Sequence, residues 1–192
     1  METPQIAQKP TIVTFIGAGN MARSLIVGLL NDNANVTLRV ADPDQAQLDA
    51  IRQHFPQIST STDNLQAMQG ADVVVLAGDI DEGLKGVEWA KSIPKPVIYV
   101  PGNHEYDYGN IPELNAAYNE DHGNVTVLQN RQLIIDNVRF LGCTLWTDFE
   151  FHGFLAMDKA MDACERGMPE YKSTRNGDHK VTPKEIQRMH HD

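Results

Sequence analysis

The sequence predicts an α/β fold of three layers with a mostly parallel sheet. Three observations carry this. Short β-branched runs alternate with helix-periodic segments along the first 130 residues, the pattern of a parallel sheet with crossover helices. The runs "ADVVVLAGD" and "KPVIYVPGN" are apolar throughout rather than alternating, as strands covered on both faces are. The strand-like "TIVTFIG" ends in glycine and leads directly into "NMARSLIVGLLN", where Met21, Leu25, Ile26 and Leu29 recur at helical spacing.

In chain order, residues 1–10 are polar with two prolines and are expected to form a frayed tail. A strand then covers 11–17 and a helix 20–31. "NVTLRVAD" predicts a second strand, and Pro43 opens a helix through residue 55, proline being favoured at a first helical position. A short helix over 64–70 precedes the buried strand 71–79. A helix over 82–93, a strand over 95–103 and a helix over 111–121 follow. "VTVLQN", "RQLIID" and "VRFLGCTLW" predict strands, the last two joined by the turn pair Asp136-Asn137. From about residue 150 the pattern is helical and polar. Functional loops of such a sheet lie at the strands' C-terminal ends, which singles out the loops after Ile16, Ala77 and Val100.

Composition narrows the partners. Of 192 residues, 41% are hydrophobic, enough for a core, and the net charge is −10. Such a surface repels a nucleic-acid backbone but not a small phosphate ester or nucleotide held in a local site. The two cysteines form no disulfide or zinc pattern. Cys143, in an apolar run, is expected to be buried, as are Trp89 and Trp146. His54, His122, His152 and His179 are expected at the surface, and Asp148, Glu150, His190 and His191 in loop or tail positions. The start resembles no signal peptide, and no apolar run is long enough to span a bilayer. A cytoplasmic setting is expected.

Gly17, Gly19 and Ala22 spell G-x-G-x-x-A between strand and helix. Gly17 permits the tight turn, Gly19 leaves room for a pyrophosphate against the backbone, and Ala22 allows close helix–strand packing. The helix N-terminus supplies N–H donors and partial positive charge. Asp42, 20 residues after Ala22, could accept hydrogen bonds from an adenosine ribose. This is a Rossmann-like βαβ start. The wording "FIGAGNMARSLIVGL", with "ADVVVLA" later, resembles the N-terminal part of pyrroline-5-carboxylate reductase over residues 11–77. The resemblance implies that Gly17, Gly19, Asn20 and Met21 line an NAD(P)H site. The negative Asp42 would oppose a 2′-phosphate.

Residues 71–192 carry a second pattern. Asp79 follows one buried strand, and "GNHE" follows the next, with Asn103 24 residues after Asp79. Carboxylate and amide oxygens suit divalent ions, and imidazole can act as an acid or a ligand. "LAGDI", "YVPGNHEYD" and "LGCTLWTDF" together resemble calcineurin-like metallophosphoesterases. That resemblance implies metal ligation by Asp79 and Asn103, with a Mn, Fe or Zn class ion, His104 as the catalytic acid or phosphate contact, and Glu105 orienting it. No D-x-H precedes Asp79 and no G-H-x-H follows, so a dinuclear site would be incomplete and weakly active. The expected organisation is a nucleotide-binding segment over 11–77 and a partial phosphoesterase domain over 71–192, sharing the strand at 71–77. The expected function is a metal-dependent phosphoesterase-like hydrolase of low activity. The alternatives are an NAD(P)-binding protein of the pyrroline-5-carboxylate reductase type, of proline biosynthesis, and an inactive fusion.

Overall fold

A computed structural model describes residues 9–31, 35–151 and 153–192. Most of the expected frayed tail, and His152, lie outside the described residues. The chain runs β1 (Thr11–Ile16), α1 (Asn20–Asn31), β2 (Val36–Ala41), α2 (Gln45–His54), β3 (Ser59–Ser61), α3 (Asn64–Met68) and β4 (Val73–Ala77). It continues through α4 (Lys85–Ala90), β5 (Val97–Val100), α5 (Ile111–Tyr118) and β6 (Val125–Val127). The remainder is β7 (Arg131–Ile135), β8 (Val138–Gly142), α6 (Met157–Gly167), α7 (Glu170–Ser173), β9 (Arg175–Asn176), β10 (His179–Lys180) and α8 (Pro183–His191).

Six strands form one parallel sheet in the order β3-β2-β1-β4-β5-β6. The α/β class and the Rossmann-like start are therefore as the sequence predicts. The chain leaves β1 toward one edge through β2 and β3, then returns to β1's other side at β4. The switch lies at the C-terminal ends of β1 and β4, where such sheets open a crevice for ligands.

Alternate residues of the central strands feed two apolar layers. Val74, Leu76, Val97 and Tyr99 meet Val87 and Ala90 of α4 and Ile111 and Tyr118 of α5. Val73, Val75, Ile98 and Val100 face the side where Phe15 of β1 packs with Ala22 and Ile26 of α1 and Leu48 and Ile51 of α2. Each fully buried aliphatic side chain of this kind contributes about 1.5–3 kcal/mol, so the two-sided strands supply much of the fold's stability. On the second side, α1 and α2 cover β1–β3, and the β7–β8 hairpin packs Val138 and Phe140 on that same layer further along.

The hairpin turn at Asp136 and Asn137 is confirmed, with φ 48° and 65°, the left-handed pair of a two-residue turn. Several expectations are corrected. The strand expected over 138–146 ends at Gly142, where its partner β7 begins at Arg131 and the ladder runs out. Strand β3 was not anticipated: its three polar residues take an edge position through β2's ladder. The polar C-terminal stretch contains a small hairpin, β9–β10, as well as helices. Cys143, just beyond β8, is exposed, and Trp89 of α4 is 46% exposed. His122 is buried, its ring Nε2 placed 3.0 Å from the carbonyl of Ala117. Trp146 is buried as expected.

Candidate functional site

The glycine turn sits at the switch. Gly17 adopts φ 101°, a left-handed conformation that side chains resist. Its N–H donates to Ala41 O at 2.8 Å, tying the turn to the end of β2. A Cβ at Gly19 would project into open space, meeting no atom within 4 Å. The missing side chain thus leaves a cradle beside the backbone rather than relieving a clash. Ala22 is buried against the sheet, the close packing the sequence predicts. Asn20 opens α1 and is exposed. The side chain of Met21 lies outside the described residues.

Asp42 belongs to this turn. Its Oδ2 accepts the Ala18 N–H at 2.7 Å, and its Oδ1 accepts the Asp44 N–H at 2.8 Å. Each carboxylate oxygen keeps a second lone pair for a further donor. The first turn of α1 contains no acidic side chain, so its partial positive charge is not neutralised from within the helix. Arg23 of α1 donates to Gln47 of α2, holding the two helices that border the crevice. The turn can therefore present backbone N–H groups to a phosphate and a carboxylate to a sugar hydroxyl. The residues present fit a dinucleotide.

The loops after β4 and β5 are neighbours, as their strands are, and they approach closely. A Cβ at Gly102 would lie 2.1 Å from Asp79 Oδ1. Asp79 itself holds φ 59°. The polar groups here bond one another. Asp79 Oδ1 accepts the His104 N–H at 3.2 Å. Asn103 donates its amide to Glu170 at 2.8 Å. His104 Nδ1 pairs with Asp107 at 2.8 Å, and that hydrogen bond raises the imidazole's pKa, favouring the protonated form. Glu105 does not orient His104. It is fully buried and accepts the N–H groups of Asp79, Ile80 and Gly102 and the hydroxyl of Tyr99. Burial, and next the Glu105 charge, raise the Tyr99 hydroxyl's pKa and keep it a donor.

The metal ligation expected of Asp79 and Asn103 finds no third side-chain ligand beside them among the described residues. The Asn103 Nδ2 is committed to Glu170 and His104 Nδ1 to Asp107, and a divalent ion needs more ligands than Asp79 and Asn103 offer together. Among the described residues no group of three or more His, Cys, Asp and Glu side chains could hold an ion. The residues do not fit a two-metal centre. Asp148 and Glu150 form a local turn through the Glu150 N–H. His190 Nδ1 contacts the Trp146 carbonyl.

Fold and turn together define a Rossmann-like α/β protein. Residues 12–85 match the family model described as NADP oxidoreductase, coenzyme F420-dependent. Pyrroline-5-carboxylate reductase of Vibrio alginolyticus is 33% identical over 88 residues, covering 42% of this chain and 32% of the relative. The Pseudomonas aeruginosa enzyme of the same name is 42% identical over 78 residues, covering 40% and 26%. The chain thus spans about a third or less of these relatives' length. Among solved structures, a pyrroline-5-carboxylate reductase from Coxiella burnetii is similar at 19% identity and TM-score 0.44, covering 96% of this chain and 76% of that one. The WlbA dehydrogenase of Bordetella pertussis, in complex with NADH and UDP-GlcNAcA, is similar at 13% identity and TM-score 0.42, covering 54% and 31%. The family and sequence matches overturn the hydrolase expectation. They fall on oxidoreductases and on the glycine turn, and the metal-ligand geometry a phosphoesterase needs is not assembled.

Gly17's tight turn was legible from spacing, but Asp42's hydrogen bond to the Ala18 N–H was not. Nor were Glu105's role and the Asn103–Glu170 bond, the latter joining residues 67 apart.

Proposed function

We propose that the chain binds a nicotinamide dinucleotide at the Gly17–Gly19 turn and is the cofactor-binding part of an oxidoreductase of the pyrroline-5-carboxylate reductase type, in proline biosynthesis. The observation that carries this is the cradle at Gly19, at the switch of a 3-2-1-4-5-6 sheet, in the segment that matches the oxidoreductase family. The pyrophosphate is expected at the start of α1. The cofactor-binding segment is proposed to span 11–77, with β4 as the strand shared with the rest of the chain.

Asp42 decides between cofactors. A carboxylate at the end of β2 receives the ribose 2′-hydroxyl and repels a 2′-phosphate, so NADH is expected to bind more tightly than NADPH. The Cβ of Gly19→Val would meet no atom within 4 Å and its methyls would occupy the space beside the turn, so the variant should abolish NADH binding while leaving the far-ultraviolet circular dichroism unchanged. Asp42→Ser should narrow the gap between NADH and NADPH. The measurement is quenching of protein fluorescence on titration with each nucleotide. Equal affinity of wild type and Gly19→Val for NADH would refute the site.

A further inference from the structure

Beyond the nucleotide turn, one face of the sheet is only partly roofed. On the α1 side, α1 covers β1, and the β7–β8 hairpin lies further along. Between them runs a groove of about 470 Å³ over β4 and β5. Val75, Ile98 and Val100 form its floor, Leu25 and Leu29 of α1 one wall, and Phe140 of β8 the other. The volume lies in the range of small-molecule sites, which are apolar with a few placed polar groups.

Of its polar groups, Ser24 lies toward the start of α1 with its hydroxyl on the Asn20 carbonyl, while Asn31 and Arg139 lie toward the other end. The connection from β1 through α1 to the parallel β2 makes α1 run back to the N-terminal edge of the sheet, so Asn31 ends there. The hairpin turn reaches the same edge, where Thr11 Oγ1 donates to Asp136 at 3.2 Å. Arg139, three residues beyond Asp136, therefore lines the groove near Asn31. Its guanidinium has no hydrogen bond or ion pair among the described residues, and no acidic residue among them lines the groove. A cation with no partner among the described residues, beside a hydrocarbon trough, is complementary to a molecule with an apolar body and one anionic end.

We propose that this groove binds a small amphipathic carboxylate, its hydrocarbon part on the floor between Leu25 and Phe140 and its carboxylate on Arg139. The site lies on the sheet face, with its charged end at the edge opposite the glycine turn, so it is distinct from the nucleotide site.

Decanoate and its neutral analogue decanol are the probes, titrated into the full chain by calorimetry. Decanoate is expected to bind with unit stoichiometry. Arg139→Gln should weaken decanoate about tenfold, the usual value of one charge-assisted hydrogen bond, and leave decanol unchanged. A Cβ at Gly28 meets nothing within 4 Å, so Gly28→Leu can fill the groove without disturbing the helix, whose propensity it improves. That variant should lose decanoate binding with no fall in melting temperature. Decanoate binding that Gly28→Leu leaves intact, or equal affinity of Arg139→Gln and wild type, overturns the proposal. So does a wild-type dimer that Gly28→Leu converts to monomer, which would make the groove an interface between copies.

Discussion

Glu105 has no solvent exposure, yet its two carboxylate oxygens accept four hydrogen bonds. Three come from backbone N–H groups in the loops after β4 and β5, so one side chain clamps the two loops that border the switch. A buried carboxylate survives only where such donors replace water. Glu105→Gln keeps the shape but turns one acceptor oxygen into a donor facing two donors. Each orphaned buried group costs about 1–3 kcal/mol, and the substitution is expected to destabilise by about 3 kcal/mol, read from urea unfolding. A loss under about 0.5 kcal/mol, the scale of a surface change, would mean the carboxylate is not the clamp. The sequence displayed Glu105 only as part of "GNHE", which suggested chemistry. Its true partners come from two separated loops, and no local pattern encodes that. The glycine turn at Gly17 was legible because it depends on a single strand–turn–helix unit.

Among the elements, α8 is fastened at its start. Thr182 Oγ1 accepts the Glu185 N–H at 3.4 Å, and Glu185 Oε2 accepts the Thr182 N–H at 2.9 Å, a capping box. Burial disfavours the Glu185 charge, but hydrogen bonds from His179, Thr182 and Asn176 outweigh it and hold the carboxyl down at about 2. A depressed carboxyl pKa stabilises the fold above the unfolded value and loses that contribution as pH falls through the folded one. The β9–β10 and α8 region is therefore expected to loosen between about pH 4.5 and 2, seen as earlier loss of Glu185 and Thr182 amide protection than of the central strands. Glu185→Gln should remove that acid-dependent step; an unchanged profile would place the transition in another group. The sequence showed this stretch only as helical and polar, and Glu185's His179 and Asn176 partners depend on a two-residue hairpin too short for periodicity to reveal.

Across the whole molecule, stability is graded by how many sides of a strand are covered. Strands β1, β4 and β5 each pair on both edges, and Val73, Val74 and Leu76 are wholly buried. The β7–β8 hairpin pairs only with itself and leaves Ile134 and Leu141 exposed. Opening free energies follow such differences. Native-state hydrogen exchange should find amides of β1, β4 and β5 exchanging only by global unfolding, with β7 and β8 exchanging at least tenfold faster, a gap of about 1.4 kcal/mol. Equal protection would mean that the hairpin is part of one cooperative unit with the sheet. Among the described residues no helix is long and apolar enough to cross a membrane.

The sequence by itself determined the parallel α/β class, the order of most strands and helices through residue 127, and the glycine turn with its aspartate. Periodicity, β-branching and glycine placement act within a few residues, so one chain suffices to read them. Only the tertiary structure decided what the "GD" and "GNHE" loops do. Their side chains face one another across two adjacent strands, and each polar atom there was free to bind an ion or a neighbour until the strands were paired. Once they were paired, buried backbone N–H groups required acceptors, and Glu105 supplied them, while Asp79 took the His104 N–H and Glu170 the Asn103 side-chain amide.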